Sequence, residues 1–306
     1  MLKTDRASRQ TLVENYPLLR RRRARGLSYV LPCFIFLSVI TIFPITYSLY
    51  LGFSRYQLQL GAEPKWISFG NYVEGLTDPK FINSVVVLLK VMVMGLTAEF
   101  IFGFTLALLL SAEFKGRTAV ITILTAPAVI APSVAALMFR ILYHPQYGNI
   151  NSFLSWLLGS KIMIRWLDTE LALYSVTAVD IYRATAFVML VMLAGLSSIS
   201  PTLYESAKCE GATPIQSFRM ITLPLMKWHI LVVVLIRLID LAKFFGIPYI
   251  LTGGGPADTT KTVNIFIFEI GLQAFRVGYG AALSIMLLLG VLFLTMAFIK
   301  VMGKRG

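Results

Sequence analysis

Ser200–Pro224 reads SPTLYESAKCEGATPIQSFRMITLP, a long polar stretch between two apolar runs in the second half of the chain. It has the marks of two short helices. Ser200 before Pro201 is a good entry, because proline at the first helical position lacks only a donor that would be orphaned anyway. Thr202 and Glu205 have the spacing of a capping box. Gly211 then interrupts, and Thr213-Pro214-Ile215-Gln216 repeats the start signal. Leu223-Pro224 is expected to end the second helix.

Ala207, Gly211 and Ala212 are small residues on one side of the break, where another protein could approach the backbone closely. Capping signals say helix and nothing about partners, so a hairpin that merely joins two spans is an equal reading of the pattern alone. The residues themselves add to this. Tyr204-Glu205-Ser206-Ala207, Gly211-Ala212, Phe218 and Ile221-Thr222-Leu223-Pro224 resemble the cytoplasmic coupling loop of ABC-transporter permeases. That family's pattern is Glu-Ala-Ala, two variable residues, Asp-Gly-Ala, and a Phe before Leu-Pro. Ser206 stands for the second residue and Glu210 for the usual Asp. The resemblance implies that Glu205, Ala207, Gly211 and Ala212 contact an ATP-hydrolysing partner, with Ser206, Glu210, Phe218, Leu223 and Pro224 completing the element.

Outward from this stretch the chain is apolar. Of 306 residues, 57% are hydrophobic and 14% charged, where a soluble domain has about a quarter charged. Six runs are long enough to span a bilayer, which takes about 20 residues. They cover about 27–51, 82–110, 118–142, 171–196, 229–251 and 281–301, with 197–228 as the loop that holds the opening stretch. This predicts an all-α polytopic membrane protein with six transmembrane helices, a basic tail over 1–26 and a permease domain over 27–306. The tail ends in Arg20-Arg21-Arg22-Arg23-Ala24-Arg25. The following run is too long for a signal-peptide core and no small-residue cleavage site follows it, so it is expected to be an uncleaved first span.

The formal charge of +13 invites nucleic acid, but the basic residues sit beside spans, as the positive-inside rule expects. With Lys300 counted in the tail, one side holds 16 Lys and Arg, the other 7, and the spans 5. Both termini and the 200–224 stretch are therefore expected in the cytoplasm. Cys33 and Cys209 have neither disulfide nor metal-ligand spacing, and two histidines make a His-based metal site a poor reading.

A charge inside a span costs at least about 2.5–3.5 kcal/mol, so it faces a partner or a water-filled cavity. Lys90, Glu99 and Arg140 are such charges, as are Asp180 with Arg183 and Arg237 with Asp240 and Lys243, the last two groups at i, i+3 steps. Each could be a structural ion pair. As a set, Asp180, Tyr182, Arg183, Arg237, Asp240, Lys243 and Phe245 suit a path for a neutral polyhydroxyl solute, with carboxylates and guanidinium for hydroxyls and aromatic faces for sugar C–H surfaces.

Thr252-Gly253-Gly254-Gly255-Pro256 is no phosphate loop, since no Gly-Lys-Ser/Thr closes it. It is close to a signature of the sugar-transporting permeases, where this loop faces the outer cavity; the usual upstream Phe-Asp is Phe245-Gly246 here. Trp66–Tyr72 and Tyr147–Asn151 also look like segments of that branch, though alone they are turn chemistry. Together these motifs resemble the permease subunit of a binding-protein-dependent ABC importer of the maltose-type, carbohydrate-uptake family, with a type I permease fold and a coupling helix. The resemblance implies a second homologous permease, an ATPase dimer carrying ATP and Mg, an extracytoplasmic solute-binding protein and a sugar or polyol as solute. It also implies a multi-pass protein of the bacterial inner membrane, without a cofactor on this chain. The rival reading is an ion-gradient-driven secondary transporter that protonates Asp180 or Asp240. An enzyme would need a nucleophile or metal constellation, and none of the usual motifs is present.

Overall fold

The computed structural model describes the backbone of residues 17–303, except 62, and the side chains of 29–301, except 60 and 62. The basic tail therefore lies outside the described residues, apart from the backbone of its last part, which opens the first helix. In chain order the elements are α1 (Pro17–Gly52), a two-stranded ribbon of β1 (Ser54–Arg55) and β2 (Lys65–Trp66), α2 (Gly70–Thr77), α3 (Pro79–Ser111), α4 (Arg117–Val129), α5 (Pro132–Leu142), α6 (Asn149–Leu158) and α7 (Ala172–Ser197). Then come α8 (Pro201–Cys209), α9 (Pro214–Ser217), a π-helical turn over Phe218–Thr222, α10 (Leu223–Leu225), α11 (Lys227–Ala242), α12 (Gly246–Thr252), α13 (Val263–Phe268) and α14 (Val277–Gly303).

Four of these helices, α1, α3, α7 and α14, are each long and apolar enough to cross a membrane. The two remaining apolar runs are not single helices. Thr118–Leu142 holds α4 and α5, which meet at 96°. Pro132 opens α5, and the residue before a proline is driven out of the helical region, as Ala131 is at ψ 141°. His229–Leu251 holds α11 and α12, separated at Lys243–Phe245. Pro248 would clash with the carbonyl four residues before it, that of Phe244, and the helix parts there. Counted by length and composition, the described helices give four spans, or five with the bent pair, rather than six.

Broken helices expose carbonyls that a bilayer cannot hydrate, so each must find a donor within the protein. Arg183 Nε on α7 donates to the Ile130 carbonyl at the first break, 2.9 Å away. At the second, Asn264 Nδ2 donates to Ala242 and Thr262 Oγ1 to Phe244, each at 2.8 Å. Nothing in the sequence marked Thr262 or Asn264 for this work.

α3 and α7 run side by side and organise the bundle. A Cβ at Gly103 on α3 would stand 2.7 Å from Val188 on α7, so only glycine permits that approach. Gly195 does the same for α7 against α11, where a Cβ would meet the His229 ring at 2.7 Å. Two apolar clusters fill the bundle. One, around Phe104, Met189, Met192 and Met226, lies toward the α8–α10 end; the other, around Val91, Val176, Leu241, Phe266 and Leu283, lies toward the opposite end. At that opposite end two asparagines pin the loops. Asn71 donates to the carbonyls of Gly52 and Ser54 where α1 terminates, and Asn151 donates to Pro145 and Ile164 while accepting from Trp166.

Candidate functional site: a helical hairpin and an ion cluster joined by two helices

The Ser200–Pro224 stretch folds as a hairpin, with two differences from its sequence reading. Ser200 rather than Thr202 caps α8, and no side chain bonds the α8 amides; the two hydroxyls bond each other at 2.8 Å instead. Pro201 already occupies the first helical position, which leaves Thr202 inside the helix and unable to cap it. Pro224 likewise does not end the second helix. The chain passes from α9 through the π turn and α10 almost directly into α11. The wider turn, in which the Leu223 amide reaches back to Phe218, accommodates the proline next to it.

The other signals form as read. Thr213 and Gln216 make a reciprocal capping box on α9. Gly211 takes a left-handed φ of +82°, and the amides of Gly211 and Ala212 return to Lys208 and Ala207, a Schellman closure of α8. Tyr204 and Thr222 hydroxyls, 2.9 Å apart, brace the two arms, and Phe218 packs on Phe104 of α3. Glu205, Ser206, Glu210, Gly211, Leu223 and Pro224 are exposed, while Ala207, Ala212 and Phe218 are half-buried. Leu203, Ile215 and Met220 add exposed apolar surface. A cavity of about 930 Å³ lies under the hairpin against the ends of α3 and α7, lined by Glu113, Arg117, Tyr204 and Lys208.

The intramembrane charges regroup across helices. Arg237 on α11 donates from Nε and Nη2 to both carboxylate oxygens of Glu99 on α3, at 2.6 and 2.9 Å, and from Nη2 to Asp180 on α7 at 2.5 Å. The i, i+3 partners that the sequence offered are the looser ones: Arg183–Asp180 at 3.5 Å and Arg237–Asp240 at 3.6 Å. Glu99 and Arg237 are thus one buried unit, a pairing that helical spacing could not reveal because 138 residues separate them. The lone carboxylate amid the apolar run was the available signal.

Beside this unit, at the two helix breaks, lies a cavity of about 300 Å³. Asp180, Arg183, Arg237, Asp240, Lys243 and Phe245 line it, with Pro132, Phe244, Gly246 and Ile247. Six of the seven path candidates therefore converge. Tyr182 does not line it; this residue packs against Phe139 of α5 and is otherwise exposed. Phe245 stacks on Tyr249 with ring centroids 5.0 Å apart. Lys90 and Arg140 are exposed and stand apart from the cluster.

Thr252–Pro256 forms a compact turn after α12, not part of the cavity lining. Gly253 and Gly254 take positive φ, the Thr252 hydroxyl bonds that of Thr260 at 2.6 Å, and Thr260 Oγ1 donates to the Gly255 carbonyl. Lys261 fastens the loop to Asp258 and Glu269 at 2.7 and 2.8 Å. Burial works against its charge, but the two carboxylates hold its pKa above the ordinary lysine value.

Compared with curated proteins, the chain is 31% identical over 285 residues to the trehalose/maltose transport system permease protein MalF of Thermococcus litoralis, covering 92% of this chain and 95% of that one. The chain belongs to the permeases of sugar-type ABC importers. The permease is also 30% identical to the sulfoquinovosyl glycerol transport system permease protein SmoG of Agrobacterium fabrum, over 90% and 89% of the two chains. Among solved structures it superposes with a TM-score of 0.78 on a bacterial alginate ABC transporter in complex with an alginate pentasaccharide-bound periplasmic protein, at 26% identity and over 93% and 96% of the chains. No protein-family model matches the permease. Its fold is therefore that of ABC-importer permeases, and it is a transport subunit rather than an enzyme.

Proposed function

We propose that the permease translocates a sugar or sugar alcohol delivered by an extracytoplasmic binding protein. It pairs with a second, homologous permease and docks an ATPase dimer, which carries ATP and Mg, through the hairpin of α8–α10. In this reading the hairpin and both termini face the cytoplasm of a bacterial inner membrane. α1 ends and α14 begins at the end of the bundle opposite the hairpin, where Gly52 lies against Ala282, in keeping with that orientation.

One observation carries the mechanism. The helix that leads into the hairpin, α7, and the helix that leaves it, α11, are the same two that furnish Asp180, Arg183, Arg237 and Asp240 to the cavity. From Arg183 to Ser197 is about 20 Å of continuous helix. Displacement of the hairpin by closure of an ATPase pair is transmitted along both helices to the cavity, where two broken spans already have the unwound backbone that a solute path requires. ATP binding then shifts the balance between inward- and outward-open states by differential contact at Glu205, Ala207, Gly211 and Ala212.

Three acids and three bases line or abut the cavity, so its charges compensate within the site. That suits an uncharged polyhydroxyl solute, with Asp240 and Lys243 as reachable hydrogen-bonding groups and Phe245 as a stacking face. The ion-gradient reading is disfavoured by the kinship with ABC-importer permeases, and the buried carboxylates of Asp180 and Glu99 have a structural task, since Arg237 ties both to α11. The test is to purify the permease from native membranes and assay what accompanies it. Co-purification of an ATPase whose hydrolysis rises with a sugar-loaded binding protein is the expected result. Transport by this chain alone on an ion gradient would overturn the proposal.

A further inference from the structure

We infer that α2, with the Trp66 turn before it, is an interfacial anchor that lies along the membrane–water boundary at the end of the bundle opposite the hairpin. Its occupant is the lipid at the level where headgroups meet acyl chains. The helix has three faces. Asn71 and Gly75 are buried, and a Cβ at Gly75 would stand 2.9 Å from Leu283 on α14, so this face is committed to the bundle. Gly70, Glu74 and Thr77 form a second face; it is polar, and Glu74 meets Arg276 at 2.6 Å. The third is apolar and covered by nothing among the described residues. Phe69, Val73 and Leu76 fall at i, i+4 and i+7, and are 65%, 58% and 66% exposed.

A soluble surface seldom leaves such a stripe bare beside a polar one. The geometry fits a helix lying in the interface plane, its apolar side sunk about 5–10 Å toward the acyl chains and its charged side toward water. Continuity says what covers the stripe. Phe69 meets Phe53 edge-on at 5.2 Å, Phe53 stacks on Trp66 at 5.3 Å, and Trp66 lies 6.3 Å from Tyr50 on α1. From Tyr50 the exposed face runs on through Tyr47 and Phe43 along a helix whose membrane-spanning window has no buried residue. Trp and Tyr gather where lipid meets water, since their rings are apolar and their N–H and O–H groups polar. The stripe of α2 is thus the rim of the lipid-facing surface of α1, turned to run along the membrane.

The test uses the full-length permease, reconstituted with its co-purifying subunits, carrying Cys33→Ser and Cys209→Ser. Nitroxide labels are placed singly at Val73→Cys, Leu76→Cys and Glu74→Cys, and their collisions with oxygen and with a water-soluble nickel chelate are compared. The expected result is preferential oxygen contact at 73 and 76 and preferential chelate contact at 74. Chelate contact at all three positions, placing the helix in water, overturns the inference. Exclusion of both reagents at 73 and 76 also overturns it, because another subunit then covers the stripe.

Discussion

Arg237 serves two carboxylates on two other helices while being nearly sealed from solvent, with side-chain exposures of 8% for Arg237, 1% for Glu99 and 6% for Asp180. Removing one member of such a group leaves the others buried and uncompensated, which costs about 3–5 kcal/mol. Arg237→Met is therefore expected to lower the thermal stability of the detergent-purified permease sharply. Adding Glu99→Gln and Asp180→Asn should recover most of the loss, and unfolding curves of the two variants compare them. Asp240 and Lys243 contrast with this group: their side chains are 46% and 68% exposed and their 3.3 Å contact is open to water. Pairs so exposed contribute little to stability. Asp240→Ala and Lys243→Ala should fold normally yet change the KM for the transported solute. An unchanged KM in both, read from uptake in proteoliposomes, would remove them from the path.

At the scale of the element, the hairpin is rigid because each backbone group at its corner is satisfied. Gly211 at φ +82° closes α8, and a β-branched side chain there is strained by about 1–2 kcal/mol. Gly211→Val is expected to loosen the corner and uncouple ATP hydrolysis from uptake while the permease still inserts. Glu205→Ala should do the same by removing an exposed carboxylate of α8 without disturbing its backbone. Normal uptake in that variant would sink the docking proposal. The helix that carries the motion needs its own contact: Gly195→Leu would force α7 away from His229 on α11 and from Met226 just before it. Its expected signature is a loss of uptake greater than the loss of ATPase association, measured by co-purification.

At the scale of the whole molecule, two broken spans and one unbroken helix, α7, form the cavity wall together. The breaks place carbonyls where Arg183, Thr262 and Asn264 can donate to them, so residues from α7 and from the start of α13 hold open a gap whose lining comes mainly from α7, α11 and α12. Arg183 consequently has two tasks, binding the Ile130 carbonyl and facing the cavity. Arg183→Lys, which keeps the charge but not the planar donor set, is expected to weaken both the α4–α5 corner and uptake.

What the sequence by itself determined is whatever depends on near neighbours along the chain. Apolar runs of bilayer length required a membrane bundle, and Gly211 with the Thr213–Gln216 box required a corner and a new helix start. The motif spacing over 204–224 pointed to the family that the relatives then established. The reading failed where a local signal had a local competitor: Pro201 took the position that would have let Thr202 cap, and a π turn absorbed Pro224. Only the tertiary structure decided the partners of the buried charges, since a guanidinium chooses the carboxylates that packing brings within 3 Å. Those were Glu99 and Asp180, on helices far away in the chain, rather than the residue three places on. It decided equally which freed carbonyls Arg183, Thr262 and Asn264 would satisfy. In a medium without water every orphaned group must be answered from within the fold, and the answering group lies wherever the packing puts it.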